Sequence, residues 1–216
     1  MALISIENVS LTIHNRPILR DISAQFEEGQ IHGIVGRNGS GKTMLMKCIC
    51  GFIRPTSGQI LVNGKRVGKD VDFPPDMGLL IETPGFVPYY SGLKNLMLLA
   101  AINRRVSKQD LNACLERIGL GDAKNKRVSK YSMGMRQRLG IAQAVMENPS
   151  LLILDEPLNG LDEQGVSEIR ELFLELKERG KTILLSSHNA EDIHLLCDTV
   201  YKMKQGELKR QTKEEP

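Results

Sequence analysis

A chain of 216 residues, 41% apolar and 25% charged, is sized for one large core and an inserted subdomain. Its net charge of +3 comes from scattered Lys and Arg, without a dense basic stripe or interleaved aromatics, so no direct nucleic-acid partner is expected. The longest apolar run, LMLLAAI at 96–102, is too short to cross a bilayer, and MALISIENVS lacks the basic start and apolar stretch of a signal peptide; a cytoplasmic chain is expected.

LISIENVSLTI alternates apolar and polar residues, with a phase slip near Asn8, and reads as a strand. HNRP turns the chain into a second strand, ILRDISAQF, and EEGQ turns it into IHGIV, a short run typical of a buried strand. A Gly-rich loop and a helix through KTMLMKCICG follow, with Cys48 and Cys50 facing different ways on it. These two, with Cys114 and Cys197, lack metal-like spacing and read as reduced thiols. QILVNGK predicts a strand entering an Asn63-Gly64 turn, and MGLLI a further buried strand. From Thr83 to Asn148 the patterns are helical, with a capping-box start at Ser107 and Asp110. Strands return at LLILD, KTILLSS and TVYKM, and the tail KRQTKEEP reads as disordered. Strand–helix alternation predicts a mostly parallel, doubly covered sheet interrupted by a helical insertion.

The loop IVGRNGSGKT fits G-x-x-x-x-G-K-[ST] without a mismatch, between a buried strand and a helix. Gly36, Arg37, Asn38, Gly39, Ser40, Gly41, Lys42, Thr43 and Met44 are therefore the candidate nucleotide-binding stretch. Backbone N–H groups would cradle phosphate oxygens, Lys42 would neutralise the β- and γ-phosphates, and Thr43 would offer its hydroxyl to Mg²⁺. LLILDEP delivers Asp155 and Glu156 to the C-terminal edge of a core strand, where ligands bind in open α/β sheets. Asp155 suits Mg²⁺, and Glu156 is then free to orient and deprotonate a water. LLSSHN repeats the layout and places His188 where it can bond a γ-phosphate; His32 and His194 read as structural.

A second anion site stands nearly a hundred residues later. In KYSMGMRQRLGIAQAV, Ser132 and Gly134 open a helix whose first turn carries no acid. Taken in order, the phosphate loop, YSMGMRQR, LLILDEP, LNGLD and SSH resemble the motifs of an ATP-binding-cassette (ABC) ATPase over nearly the whole chain. That resemblance implies an α/β P-loop NTPase with an N-terminal antiparallel β part. A single domain is expected, with residues 1–82 and 149–210 forming the core, about 83–148 a helical subdomain, and 211–216 a tail. It also implies a head-to-tail dimer, in which Ser132, Met133, Gly134 and Met135 complete the partner's ATP site and Asp162 links the two sites. The two anion sites would then serve one nucleotide from opposite chains. Tyr131, Met133 and Met135 stand where the family signature has Leu, Gly and Gln. Where relatives stack an aromatic on adenine, Ile13 or His14 falls. Glu82 replaces the usual Gln and remains a candidate Mg²⁺ ligand with Thr43 and Asp155. Around Glu82, the I-E-x-P stretch resembles ATPase subunits of bacterial exporters for bacitracin and lantibiotics. Such a subunit implies separate membrane permease subunits and a place on the inner face of the cell membrane. GFVPYY (Phe86, Tyr89, Tyr90) would receive one of their helices. The alternative is a soluble ABC-type ATPase acting on nucleic acid or ribosomes; no second cassette, coiled coil or basic block accompanies it here.

Overall fold

A computed structural model describes residues 2–82 and 85–211. Thr83 and Pro84, with which the I-E-x-P stretch closes, lie outside these residues, as do 212–216 of the expected tail.

Two sheets form the frame. The first is antiparallel, in the order β2 (Arg16–Glu27), β1 (Ala2–Ile13), β4 (Ser57–Val62), β5 (Lys65–Arg66). The phase slip expected near Asn8 is a register shift between Ile6 and Val9, with Asn8 in the left-handed region (φ 49°). Asn63 and Gly64, both at positive φ (49° and 72°), make the tight turn from β4 to β5.

The second sheet runs β10-β9-β3-β8-β7-β6. β3 (Ile31–Val35), β6 (Met77–Leu80), β7 (Leu151–Asp155), β8 (Thr182–Ser186) and β9 (Thr199–Lys204) are parallel neighbours. Only β10 (Glu207–Gln211) is antiparallel, paired with β9. This corrects the expected disorder at Lys209–Gln211: the three residues are an edge strand, held by backbone bonds their polar side chains do not advertise.

Apolar runs such as LLILD arise because both faces of this sheet are covered. Leu151 and Ile153 point into a core shared with the antiparallel sheet and α1 (Lys42–Ile49). Leu152 and Leu154 point the other way, into a core built with the remaining helices. Those are α2 (Gly92–Asn103), α3 (Lys108–Arg117), α4 (Met133–Val145), α5 (Glu163–Glu178) and α6 (Ala190–Leu196). Ser107 and Asp110 form the expected capping box of α3. Phe86 packs on the helical core, whereas Tyr89 and Tyr90 stand exposed, their rings edge to face at 5.3 Å. All four thiols are free, and burial pushes Cys48, Cys50 and Cys197 up to about 12.

Helix α4 lies directly on β6. A Cβ at Gly78 would collide with the carbonyl oxygen of Ala144, a backbone atom that cannot rotate away. Gly78→Ala is therefore expected to destabilise the fold by about 1–3 kcal/mol, as overpacked cores do. Thermal unfolding checks this: a melting temperature several degrees lower is expected, and an unchanged one would mean that α4 does not rest on β6.

Candidate active site

The Gly-rich loop links β3 to α1, and Gly41 caps the helix at φ 115°, a backbone region that only glycine enters without strain. Residues 37–44 line an open cavity of about 410 Å³, together with Ile18, Asp155 and Glu156. Gly36 contributes its carbonyl, which accepts a 2.7 Å bond from Lys42 Nζ.

Parallel register brings the acids to the same place. Asp155 ends β7 beside Ser186 at the end of β8. Ser186 Oγ donates to Asp155 Oδ1 at 2.5 Å and accepts the Glu156 N–H at 2.9 Å. The other carboxylate oxygen of Asp155 accepts from Thr43 Oγ1 at 2.6 Å. Glu156, at φ 50°, turns its carboxylate between Lys42 and His188: Oε1 lies 3.6 Å from Lys42 Nζ, and Oε2 lies 2.9 Å from His188 Nδ1. Lys42 is almost wholly buried, whereas the His188 side chain is 62% exposed.

Two buried oxygens here, Ser40 Oγ and Glu156 Oε1, have no hydrogen-bond partner. Unsatisfied buried polar atoms are costly, so their presence at a phosphate loop marks groups kept for a ligand or water. The donor set also fits Mg²⁺. Thr43 and Asp155 supply two hard oxygens side by side. That suits an ion bound by one or two protein oxygens plus water and nucleotide phosphates.

The other sequence candidates are placed as follows. Ile13 packs against the core beneath the antiparallel sheet, and His14 is exposed in the turn after β1; neither lines the cavity. Ile18 on β2 does, and sequence spacing did not single it out. Glu82 follows β6 at φ 59° and gives its carboxylate to Lys47 Nζ on α1, at 2.6 Å.

The signature turn stands apart from this cavity, which no residue of 131–138 lines. Ser132 caps α4 through the Met135 N–H (3.2 Å), and Met133 is 70% exposed. Tyr131, at the usual Leu position, is buried with its hydroxyl donating to Ala123 O. Asp162 caps α5 through the Gly165 N–H, its own side chain exposed.

The family profile described as ABC transporter matches residues 19–159, more than half of the chain. This chain belongs to the ABC transporter family. It is an ATPase subunit of that type, with the fold to match. YybJ, an ABC transporter ATP-binding protein of Bacillus subtilis, is 42% identical to this ATPase, over 98% of this chain and 97% of its own. The bacitracin transport ATP-binding protein BcrA of Enterococcus faecalis is 41% identical over 95% of this chain and 67% of its own. SrtF, a lantibiotic transport ATP-binding protein of Streptococcus pyogenes, is 33% identical over 95% and 89%. In fold, this ATPase is similar to a bacterial ABC transporter cassette solved as a dimer (TM-score 0.87, 23% identity, 99% of each chain).

Proposed function

We propose that this ATPase powers a bacterial exporter of antimicrobial peptides of the bacitracin or lantibiotic kind, as a head-to-tail dimer docked on separate membrane subunits. The observation that carries the dimer is the separation of the signature turn from the chain's own nucleotide cavity. Ser132, Met133, Gly134 and Met135 open a helix with no acid in its first turn, and none of the four lines the cavity of the chain's own phosphate loop. Set against a second copy, that helix end completes the partner's ATP site. Asp162, at the start of α5, carries the contact between the two sites.

Within each site the phosphate loop binds the triphosphate and Lys42 neutralises it. Thr43 and Asp155 would hold Mg²⁺, which would draw charge off the phosphates, and Glu82 would be a further hard oxygen only on leaving Lys47, to which its carboxylate is paired. Glu156 accepts a proton from the attacking water through Oε1, the carboxylate oxygen that has an ion pair with Lys42 but no hydrogen bond. His188 reports the γ-phosphate. The purine packs beside the antiparallel sheet, where Ile18 is the apolar wall and Ile13 and His14 lie one turn away in the chain. Residues 1–82 and 149–210 form the core, and 83–148 the helical arm that carries the signature turn.

No helix among the described residues is long and apolar enough to cross a membrane; in this reading the pathway belongs to other subunits, and the chain sits against them on the inner face. The exposed Tyr89–Tyr90 pair is the anchor for one of their helices. The peptide cargo is supported by the likeness to BcrA and SrtF together with Glu82.

Deleting the chain from its own cell is expected to raise sensitivity to bacitracin or to a lantibiotic, and the wild-type chain, but not Glu156→Gln, is expected to restore growth. Unchanged sensitivity to both peptide classes contradicts the cargo.

A further inference from the structure

Glu156 is held in a backbone conformation that residues with a Cβ adopt only when their surroundings impose it (φ 50°). Its N–H is fixed by Ser186 Oγ. Its carbonyl and that of Pro157 are both gripped by one side chain from another element. Gln137 Nε2, on α4, donates to Glu156 O at 3.1 Å and to Pro157 O at 2.9 Å. A weaker turn bond from the Asn159 N–H, at 3.3 Å, is the other contact on the Glu156 carbonyl.

We propose that Gln137 is a positioning residue for Glu156: its amide locks the left-handed turn from which the carboxylate is presented to the attacking water. Gln137 lies five residues beyond Ser132, on the helix whose N-terminus the proposed dimer sets against the partner's nucleotide. A shift of α4 on engaging that nucleotide therefore moves the grip on the chain's own Glu156. The proposal rests on the reading of Glu156 as the base.

Two variants separate positioning from simple packing. Gln137→Glu keeps the shape but replaces both N–H donors with acceptors facing two carbonyl oxygens. Gln137→Lys changes the shape but keeps a donor. Misplacing a catalytic group by about 1 Å costs about 100-fold, so Gln137→Glu and Gln137→Ala are expected to lower kcat by about 10–100-fold. The KM for ATP should stay within about twofold, because nucleotide contacts are untouched. Gln137→Lys should recover most of the loss. Added to Glu156→Gln, Gln137→Glu should cost nothing more, since the two act as one unit. All variants are compared by thermal unfolding, so that a folding defect is seen as such. A normal kcat in Gln137→Glu, or a Gln137→Lys as slow as Gln137→Ala, or a KM rising in step with the loss of kcat, overturns the proposal. If Glu156→Gln is inactive while Gln137→Glu is normal, only Gln137 loses its role. If Glu156→Gln itself turns over normally, it is the base assignment that falls.

Discussion

Glu156→Gln is expected to hydrolyse ATP at least about 100-fold more slowly than the unaltered chain, the scale on which a positioned general base acts. Binding should survive, or tighten. The carboxylate lies 3.6 Å from Lys42, and removing its charge removes a competitor for the incoming phosphates. The amide keeps the shape but cannot take a proton from water, so the loss falls on kcat and not on KM. Steady-state ATPase measurements with nucleotide-binding titrations check both halves. A variant that turns over at the original rate would leave Glu156 as an ordinary partner of His188 and Lys42.

Ser132→Arg attacks the same reaction from the other chain. Ser132 caps α4 by accepting the Met135 N–H, and its loss costs the fold about 0.5–2 kcal/mol at most. The larger effect is on catalysis. Contacts supplied in trans to a phosphoryl group contribute about 10³–10⁵ in rate in other NTPases, so turnover should fall by about 1000-fold. ATP binding to the single chain should persist, because Ser132 lies outside the cavity formed by its own phosphate loop. Turnover at the original rate, with binding intact, would show that the signature turn plays no part in the reaction.

The core of the site was legible in the sequence because its logic is local. IHGIV, LLILD and KTILLSS carry apolar residues on both faces, as Leu151–Leu154 and Ile183–Leu185 do, which only strands covered on both sides need, and their parallel register follows from the helices between them. Once they align, Lys42, Thr43, Asp155, Glu156 and His188 fall at one edge. What escaped is set by long-range packing. Lys47 and Glu82 are 35 residues apart, and nothing in either segment announces that the helix after the phosphate loop carries the cation for that carboxylate. Gln137 reaches Glu156 only because α4 rests on β6, next to β7. Counting back from PILRDIS pointed to Ile13 or His14, but the chain turns at His14 and Asn15, and a residue on the returning strand, Ile18, lines the cavity. β10 was missed because an edge strand paired on one side needs little apolar patterning, and its Lys209 and Arg210 resemble a tail.

The central claim is that one nucleotide is held by two copies of this chain, and mass tests it most directly. Size exclusion with light scattering on Glu156→Gln, with and without Mg-ATP, should show one chain without nucleotide and two chains with it. Ser132→Arg added to the same variant should return the mass to one chain. A Glu156→Gln that binds ATP yet keeps the mass of a single chain would contradict a dimer closed by ATP alone.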